Sequence, residues 1–328
     1  MVMQNPLVSF CVVTYNQERY VRDAVASALR QTYPNLEVII SDDASKDGTW
    51  DIIQEVVAEE VDKGCKHKIV LNRNEKNMGI AEHWEFVDSL CHGELKFMAA
   101  GDDISTVDRA EKVVRAWLGA EKKPAAIIHS GVTIDVRGKK IGHVRAASLD
   151  FPLGAVTVWK RFPELKFPRA ERSHAVEDVI ASARARMLGG ELIIPDELLE
   201  YRIGSGLTTG RFNKRRPALM CIRLWCESFS QIFADLEYMR TIIGEKRYEG
   251  LKAKYLADQK YAKAYVELLT AKSFGERKLA HAVVRERKNG VKERVLIALY
   301  LLPQSMGDVL LNSYALLKYC FDFYRKHG

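Results

Sequence analysis

No apolar run in this 328-residue chain approaches the length of a bilayer span. The longest clean one near the C-terminus, Val295–Leu302, has eight residues against the ~20 that a transmembrane helix needs. No Lys or Arg precedes the apolar stretch Leu7–Val13 and no small-residue cleavage site follows it, which argues against a secretory signal and predicts a cytoplasmic chain. The six cysteines (Cys11, Cys65, Cys91, Cys221, Cys226, Cys320) include no CxxC and no zinc-type spacing, so they are expected to be free thiols in a reducing compartment. Neither a Walker A loop nor a GxGxxG follows the first strand pattern, so both common phosphate cradles are missing. There is no fixed-period repeat and no nucleic-acid-binding motif, and nucleic acid is not an expected partner.

What is present is an ordinary soluble balance, 47% hydrophobic and 28% charged, enough to bury at least one large core. The net charge of +7 hides two different halves: residues 211–328 hold 23 Lys+Arg against 12 Asp+Glu, whereas 1–210 hold 27 against 31. The basic half suits either an anionic partner or a set of solvated helix faces.

Residues 7–14 (LVSFCVVT) read as a buried strand broken by Tyr15-Asn16. An apolar face at Tyr20, Val21, Ala24, Val25, Ala28 and Leu29 predicts a helix over 18–29. Leu36–Ile40 is a second strand, ending at Asp42-Asp43, and Thr49 is expected to cap the helix that follows. Ile69–Leu71, a helix over 79–90, and a strand over 95–98 continue the alternation. This order means βαβ units and a parallel sheet. Residues 125–142 read as a hairpin turning at Arg137-Gly138, and 143–176 as irregular. A helix follows over about 175–188, then two short strands, 192–194 and 198–201. A domain boundary is placed in the Gly/Ser/Thr-rich loop 204–210, giving domains 1–210 and 211–328. From Pro217 onward the pattern is helical, with a core stripe at Ile222, Trp225, Phe229, Ile232, Phe233, Leu236, Met239 and Ile243 and further helices near 251–271, 276–287, 291–302 and 306–325.

The acidic residues carry the chemistry. Asp42-Asp43 and Asp102-Asp103 stand just past strand ends, the rim where open α/β sheets bind ligands, and Glu177-Asp178 opens a later helix. Two Asp pairs at neighbouring strand ends repel unless a cation intervenes, which suits Mg²⁺ or Mn²⁺ shared with a diphosphate. On sequence alone Glu177-Asp178 reads first as a helix N-terminal acidic pair.

The run VSFCVVTYNQERYVRDAVASALRQTYPNLEVIISDDASKDGT, the loop NEKNMGIA, AAGDD, and the ordered set Gly154-Ala155, Glu177-Asp178, Arg184, Gly189-Gly190 and Tyr201-Arg202 resemble a family 2 glycosyltransferase of bacterial surface-polysaccharide type. The likeness covers about 1–210. It implies a GT-A fold: an α/β, Rossmann-like, mostly parallel sheet flanked by helices, here followed by the α-helical C-terminal region. It implies that Val13 (through its backbone), Tyr15 and Asp43 hold the nucleotide base, that Asp102 lies near the ribose, and that Asp103 binds the divalent cation. Asp178 is then the catalytic base, with Glu177 beside it orienting the acceptor. The resemblance further implies inverting, metal-dependent transfer from a nucleoside-diphosphate sugar to a glycan or polyprenyl- or lipid-linked acceptor.

One departure and several alternatives stand beside this. Relatives often follow the Tyr-Arg pair with a metal-completing His; here Ile203-Gly204-Ser205-Gly206 follows, and His174 is the nearest substitute. The apolar, aromatic and basic stretch 291–328 suits either an interfacial helix on an anionic membrane or a helical cap or dimer interface. A nucleotidyltransferase would want an Arg/Lys-bearing glycine loop after the first strand, which Tyr15–Glu18 does not supply. A catalytically inactive scaffold that recruits a membrane glycan-assembly complex would not need intact Asp43, Asp103 and Asp178.

Overall fold

The computed structural model describes residues 5–146, 153–168, 177–204, 215–271 and 273–285. His174 and the stretch 291–328 lie outside the described residues. The chain divides into two compact units, 1–206 and 207–328.

The first unit is built on one sheet. β1 (Val8–Thr14) lies between β2 (Leu36–Asp42) and β4 (Leu95–Ala100), and β3 (Lys68–Arg73) pairs with β2, all in parallel. The strand order is β3-β2-β1-β4-β8-β6-β9-β5. The later strands are β5 (Ile104–Ser105), β6 (Ala126–Ile134), β7 (Lys140–Val144), β8 (Thr157–Lys160) and β9 (Glu191–Arg202). β8 is antiparallel to both β4 and β6, β9 is parallel to β6, and β5 is antiparallel to β9. The sheet is therefore parallel through its first four strands and mixed beyond them.

β1 shows why the continuous apolar run is a strand. Successive side chains point to opposite faces. Val8, Phe10 and Val12 enter one core with Val25 of α1 (Val21–Leu29), Ile53 of α2 (Thr49–Asp62), and Val113 and Trp117 of α4 (Arg109–Gly119). Cys11 enters the other with Val87 of α3 (Ile80–Leu90) and Ala185 of α5 (Glu177–Leu188). A strand covered on both faces needs no polar alternation.

Four details differ from the sequence reading. β2 and β4 are not neighbours, because β1 separates them. The irregular stretch 143–176 contains β8, reached through a 3-10 turn at Gly154–Val156. The two strands expected at 192–194 and 198–201 are one strand, β9. Its ladder with β6 shifts register between Ile128 and Ser130, opposite Ile193 and Glu197, where Pro195 has no N–H to give. Thr49 is the first residue of α2 rather than its cap; the carboxylate of Asp47 accepts from the Thr49 N–H at 3.1 Å. The expected hairpin is present, with Gly138 at φ +80° in the turn between β6 and β7.

The second unit contains α6 (Arg215–Ile243), α7 (Glu245–Thr270) and α8 (Phe274–Arg285). Ile222, Trp225, Phe229, Ile232, Leu236 and Met239 of the expected stripe are buried. Trp225 meets Tyr261 edge-on at 6.1 Å between ring centroids, joining α6 to α7. Among the described residues no helix is long and apolar enough to cross a membrane.

Candidate active site

The rim at the C-terminal ends of β1, β2 and β4 is held together by side chains that the sequence places there as turn residues. Asn16 and Ala44 both have positive φ, +52° and +59°, which is uncommon without glycine. The two turns lock each other: Asn16 N–H donates to Ser45 Oγ at 2.8 Å, and Lys46 N–H donates to Asn16 Oδ1 at 2.9 Å. Asp42 is fully buried and accepts from Thr14 Oγ1 at 3.2 Å, from Ser45 N–H at 3.0 Å and from the Ser45 hydroxyl. It serves the frame of the rim.

Asp43 holds a different segment. Its Oδ1 accepts from Asn74 Nδ2 at 2.8 Å and from Met78 N–H at 2.9 Å; its Oδ2 accepts from Gly79 N–H at 3.0 Å. Gly79 caps α3, so this carboxylate sits at a helix N-terminus, where negative charge is favoured. A carboxylate has about four acceptor positions, and these bonds leave one on Oδ2 for a further N–H. Tyr15 is exposed beside this rim, and the Val13 carbonyl accepts from Gly101 N–H at 3.0 Å, tying β1 to the acidic turn.

Asp103 is 2% exposed. Its Oδ1 accepts from Arg202 N–H at 2.8 Å, and its Oδ2 is buried with no partner. Burial, and next the charge of Asp102, push its carboxyl well above the usual range. Arg202 makes the turn rigid: Nε donates to the Asp102 carbonyl at 2.9 Å, Nη1 to the Asp135 carbonyl at 3.0 Å, and the guanidinium lies 4.6 Å from the Tyr20 ring centroid. An orphaned, desolvated carboxylate oxygen is what a hard divalent cation would satisfy. Among the described residues no three His, Cys, Asp or Glu side chains converge, so the protein offers an acidic pair rather than a full cage. Magnesium-type sites commonly take one or two carboxylates and complete the shell with water and substrate phosphates.

Asp178, in the first turn of α5, is the counterpart on the other side. Gly154 N–H donates to its Oδ2 at 3.0 Å, and its Oδ1 is buried with no partner. Gly154 leaves little room: a Cβ there would stand 3.3 Å from the Asp178 Cβ. Burial raises the Asp178 carboxyl to about 6 against the opposing pull of the backbone N–H groups of Gly154, Val179 and Asp178 itself. Glu177 is pushed to about 8 by burial and by the charge of Asp178. Burial outweighs the stabilisation that a helix N-terminus gives a carboxylate at Asp178.

Tyr201 packs with the cluster of Val156 and Leu199 and directly precedes Arg202, whose N–H holds Asp103. The ionisation of Tyr201 is opposed by burial and then by the charges of Asp103, Asp102 and Asp178. Asp43 is not in that group. Its neighbour Met78 instead shares with Glu177 the border of a groove of 760 Å³ between α3 and α5.

Arg109 has no counterpart in the sequence reading. It is fully buried, lies 5.7 and 5.4 Å from the Phe10 and Phe97 ring centroids, and donates to His129 Nε2, Ser105 Oγ and the Ala155 carbonyl at 3.0, 3.0 and 2.7 Å. Because His129 Nε2 accepts, its proton sits on Nδ1, which donates to the Ser130 carbonyl at 2.7 Å. Burial lowers Arg109 to about 9 while the charge of Asp103 opposes that shift. The available signal was an arginine on the buried stripe Arg109, Ala110, Val113, Val114, Trp117.

A mixed sheet with its acidic turn at the end of β4 and helices following the sheet is the arrangement of the GT-A fold. Over 94% of this chain and 88% of the other, the structure superposes on the mannosyltransferase PcManGT from Pyrobaculum calidifontis in complex with GDP-Man and Mn2+, with a TM-score of 0.56 at 16% identity. The Glycosyl transferase family 2 model matches residues 9–178, and the chain belongs to that family. It is 36% identical over 107 residues to the putative teichuronic acid biosynthesis glycosyltransferase TuaG of Bacillus subtilis, 33% of this chain and 40% of that one. It is 50% identical over 50 residues to the Escherichia coli UDP-Glc:alpha-D-GlcNAc-diphosphoundecaprenol beta-1,3-glucosyltransferase WfaP, 15% of this chain and 20% of that one. These alignments span well under half of either relative's length.

Proposed function

We propose that this glycosyltransferase is an inverting, metal-dependent enzyme that moves a sugar from a nucleoside-diphosphate donor to a growing bacterial surface glycan, on a free or lipid-linked acceptor. The observation that carries this is that two carboxylates of the first unit each hold a buried oxygen with no partner, Asp103 Oδ2 in the turn after β4 and Asp178 Oδ1 in the first turn of α5. An inactive scaffold would have no use for two buried charges left unsatisfied.

Asp178 takes the proton of the attacking acceptor hydroxyl at Oδ1 while Gly154 N–H holds Oδ2. A carboxylate titrating near 6 is ionised at neutral pH yet basic enough to share a proton in the transition state. Glu177 orients the acceptor from the edge of the groove. Asp43 offers its remaining Oδ2 position to a base N–H, with Tyr15 and the Val13 backbone alongside, and Asp102 lies near the ribose. Asp103 would hold the divalent cation, which when bound supplies positive charge to the departing diphosphate.

The name of TuaG carries teichuronic acid biosynthesis and that of WfaP a diphosphoundecaprenol-linked acceptor, which supports the glycan or lipid-linked class of acceptor. The division 1–210 and 211–328 fits a catalytic domain followed by a basic helical region that rests on an anionic membrane surface through 291–328, from the cytoplasmic side. The deciding experiment incubates the protein with radiolabelled UDP- and GDP-sugars, Mn²⁺ and undecaprenyl-diphosphate-linked glycans. Transfer with inversion at C1 is expected. Absence of any donor binding across the set would defeat the reading.

A further inference from the structure

Tyr201 is tied by packing to one half of the site and by the chain to the other, and the roles above leave it unused. Its position is fixed from three directions. It pairs with Thr133 of β6 through the sheet, and its ring packs in the cluster formed by Val156, Ala146 and Leu199, beside Leu153 and Ala155. Those residues flank Gly154, the group bonded to Asp178. The next residue, Arg202, gives its N–H to Asp103 at 2.8 Å. Tyr201 therefore bridges the turn that holds the base and the turn that holds the cation-side carboxylate.

In an inverting transfer the acceptor oxygen and the leaving diphosphate oxygen lie on opposite sides of the sugar's C1. What occupies the space between a base and a diphosphate site is then the sugar ring itself. We propose that the Tyr201 hydroxyl donates a hydrogen bond to a hydroxyl of the transferred sugar, making it a sugar-binding residue of this donor site. This rests on the reading of the chain as a nucleotide-sugar transferase. A phenol suits the task because its ring is locked by packing and its O–H has a single direction to satisfy. A tyrosine phenol is protonated at neutral pH and so serves as a donor.

The test is Tyr201→Phe, which keeps the ring and its packing. Calorimetric titrations in Mn²⁺ compare UDP and GDP with UDP-glucose, UDP-N-acetylglucosamine and GDP-mannose, in wild type and variant. The bare diphosphates are expected to bind both proteins within about twofold. The nucleotide sugar that wild type binds is expected to bind the variant about tenfold more weakly, the size of one well-placed hydrogen bond. Equal weakening of diphosphate and sugar, or no change in either, overturns the assignment. A wild type that binds no nucleotide sugar overturns the transferase reading first and this one with it.

Discussion

The Arg109 guanidinium donates to the Ala155 carbonyl at 2.7 Å, one residue from the Gly154 N–H that holds Asp178 at 3.0 Å. A buried cation in the core of the sheet thus sets the position of a carboxylate on another element. The same guanidinium fixes Ser105, two residues beyond Asp103, at 3.0 Å. Replacing Arg109 with Lys keeps the charge and loses the fork, since an ammonium cannot span three acceptors in that geometry. Arg109→Lys is expected to lower kcat at least tenfold while donor affinity changes little, read from initial rates and donor titration. A matching loss in affinity would mean that the arginine serves the donor site instead.

Asp103→Asn tests the acidic turn. The amide oxygen can still accept from Arg202 N–H, so the turn should persist, but an NH2 group that cannot ligate a cation replaces the orphaned oxygen. Wild type is expected to bind a nucleoside diphosphate at least tenfold more weakly after chelation of divalent ions, and the variant to show no such difference. Calorimetry with and without Mn²⁺ measures both. A variant with full metal dependence would remove Asp103 from the cation's shell.

Asp43→Ala tests the loop anchor. Three bonds to Asn74, Met78 and Gly79 disappear together, and the N-terminus of α3 loses its carboxylate. Charge-assisted bonds contribute roughly 1.5–3 kcal/mol each where buried, less when water replaces them. Amide hydrogen exchange at residues 74–79 is expected to accelerate at least tenfold, with the remaining strands protected as before. Unchanged exchange there would show that the loop holds without Asp43.

The strands that meet helices on both faces were legible, because β1 and β2 carry nearly continuous apolar runs, Phe10–Val13 and Val38–Ile40. β8 was hidden: four residues, Thr157–Lys160, give too short a pattern, and their place between β4 and β6 is a long-range pairing that no local period encodes. The acidic pairs were legible as types and positions, but not their division of labour. Asp42 and Asp43 differ because adjacent residues point to different partners, one to Thr14 and Ser45, the other to backbone N–H groups over thirty residues away. Arg109 was unreadable for a related reason. A charge on an apolar helical face gains meaning only from His129, Ser105 and Ala155, which three other segments supply.

The Glu177–Asp178 pair gives the pH dependence its sign. Asp178 acts as base only when ionised, and burial raises its carboxyl to about 6, so kcat is expected to rise with pH through that region and level off above it. Stability runs the other way. A carboxyl whose folded value exceeds its unfolded one stabilises the fold below the unfolded value, and that contribution is lost as pH rises through the folded value. Above about pH 6 the native state therefore carries an unfavourable buried charge at Asp178, and above about 8 a second at Glu177. Asp178→Asn is expected to abolish transfer, retain donor binding, and raise the melting temperature at pH 8 by a few degrees, on the order of 1–3 kcal/mol. At pH 4 the gain should vanish, because the wild-type carboxyl is then already neutral. Thermal melts of both proteins at the two pH values measure this directly. A variant that is less stable at pH 8, or that still transfers sugar at the wild-type rate, would show that Asp178 is neither strained by burial nor the base.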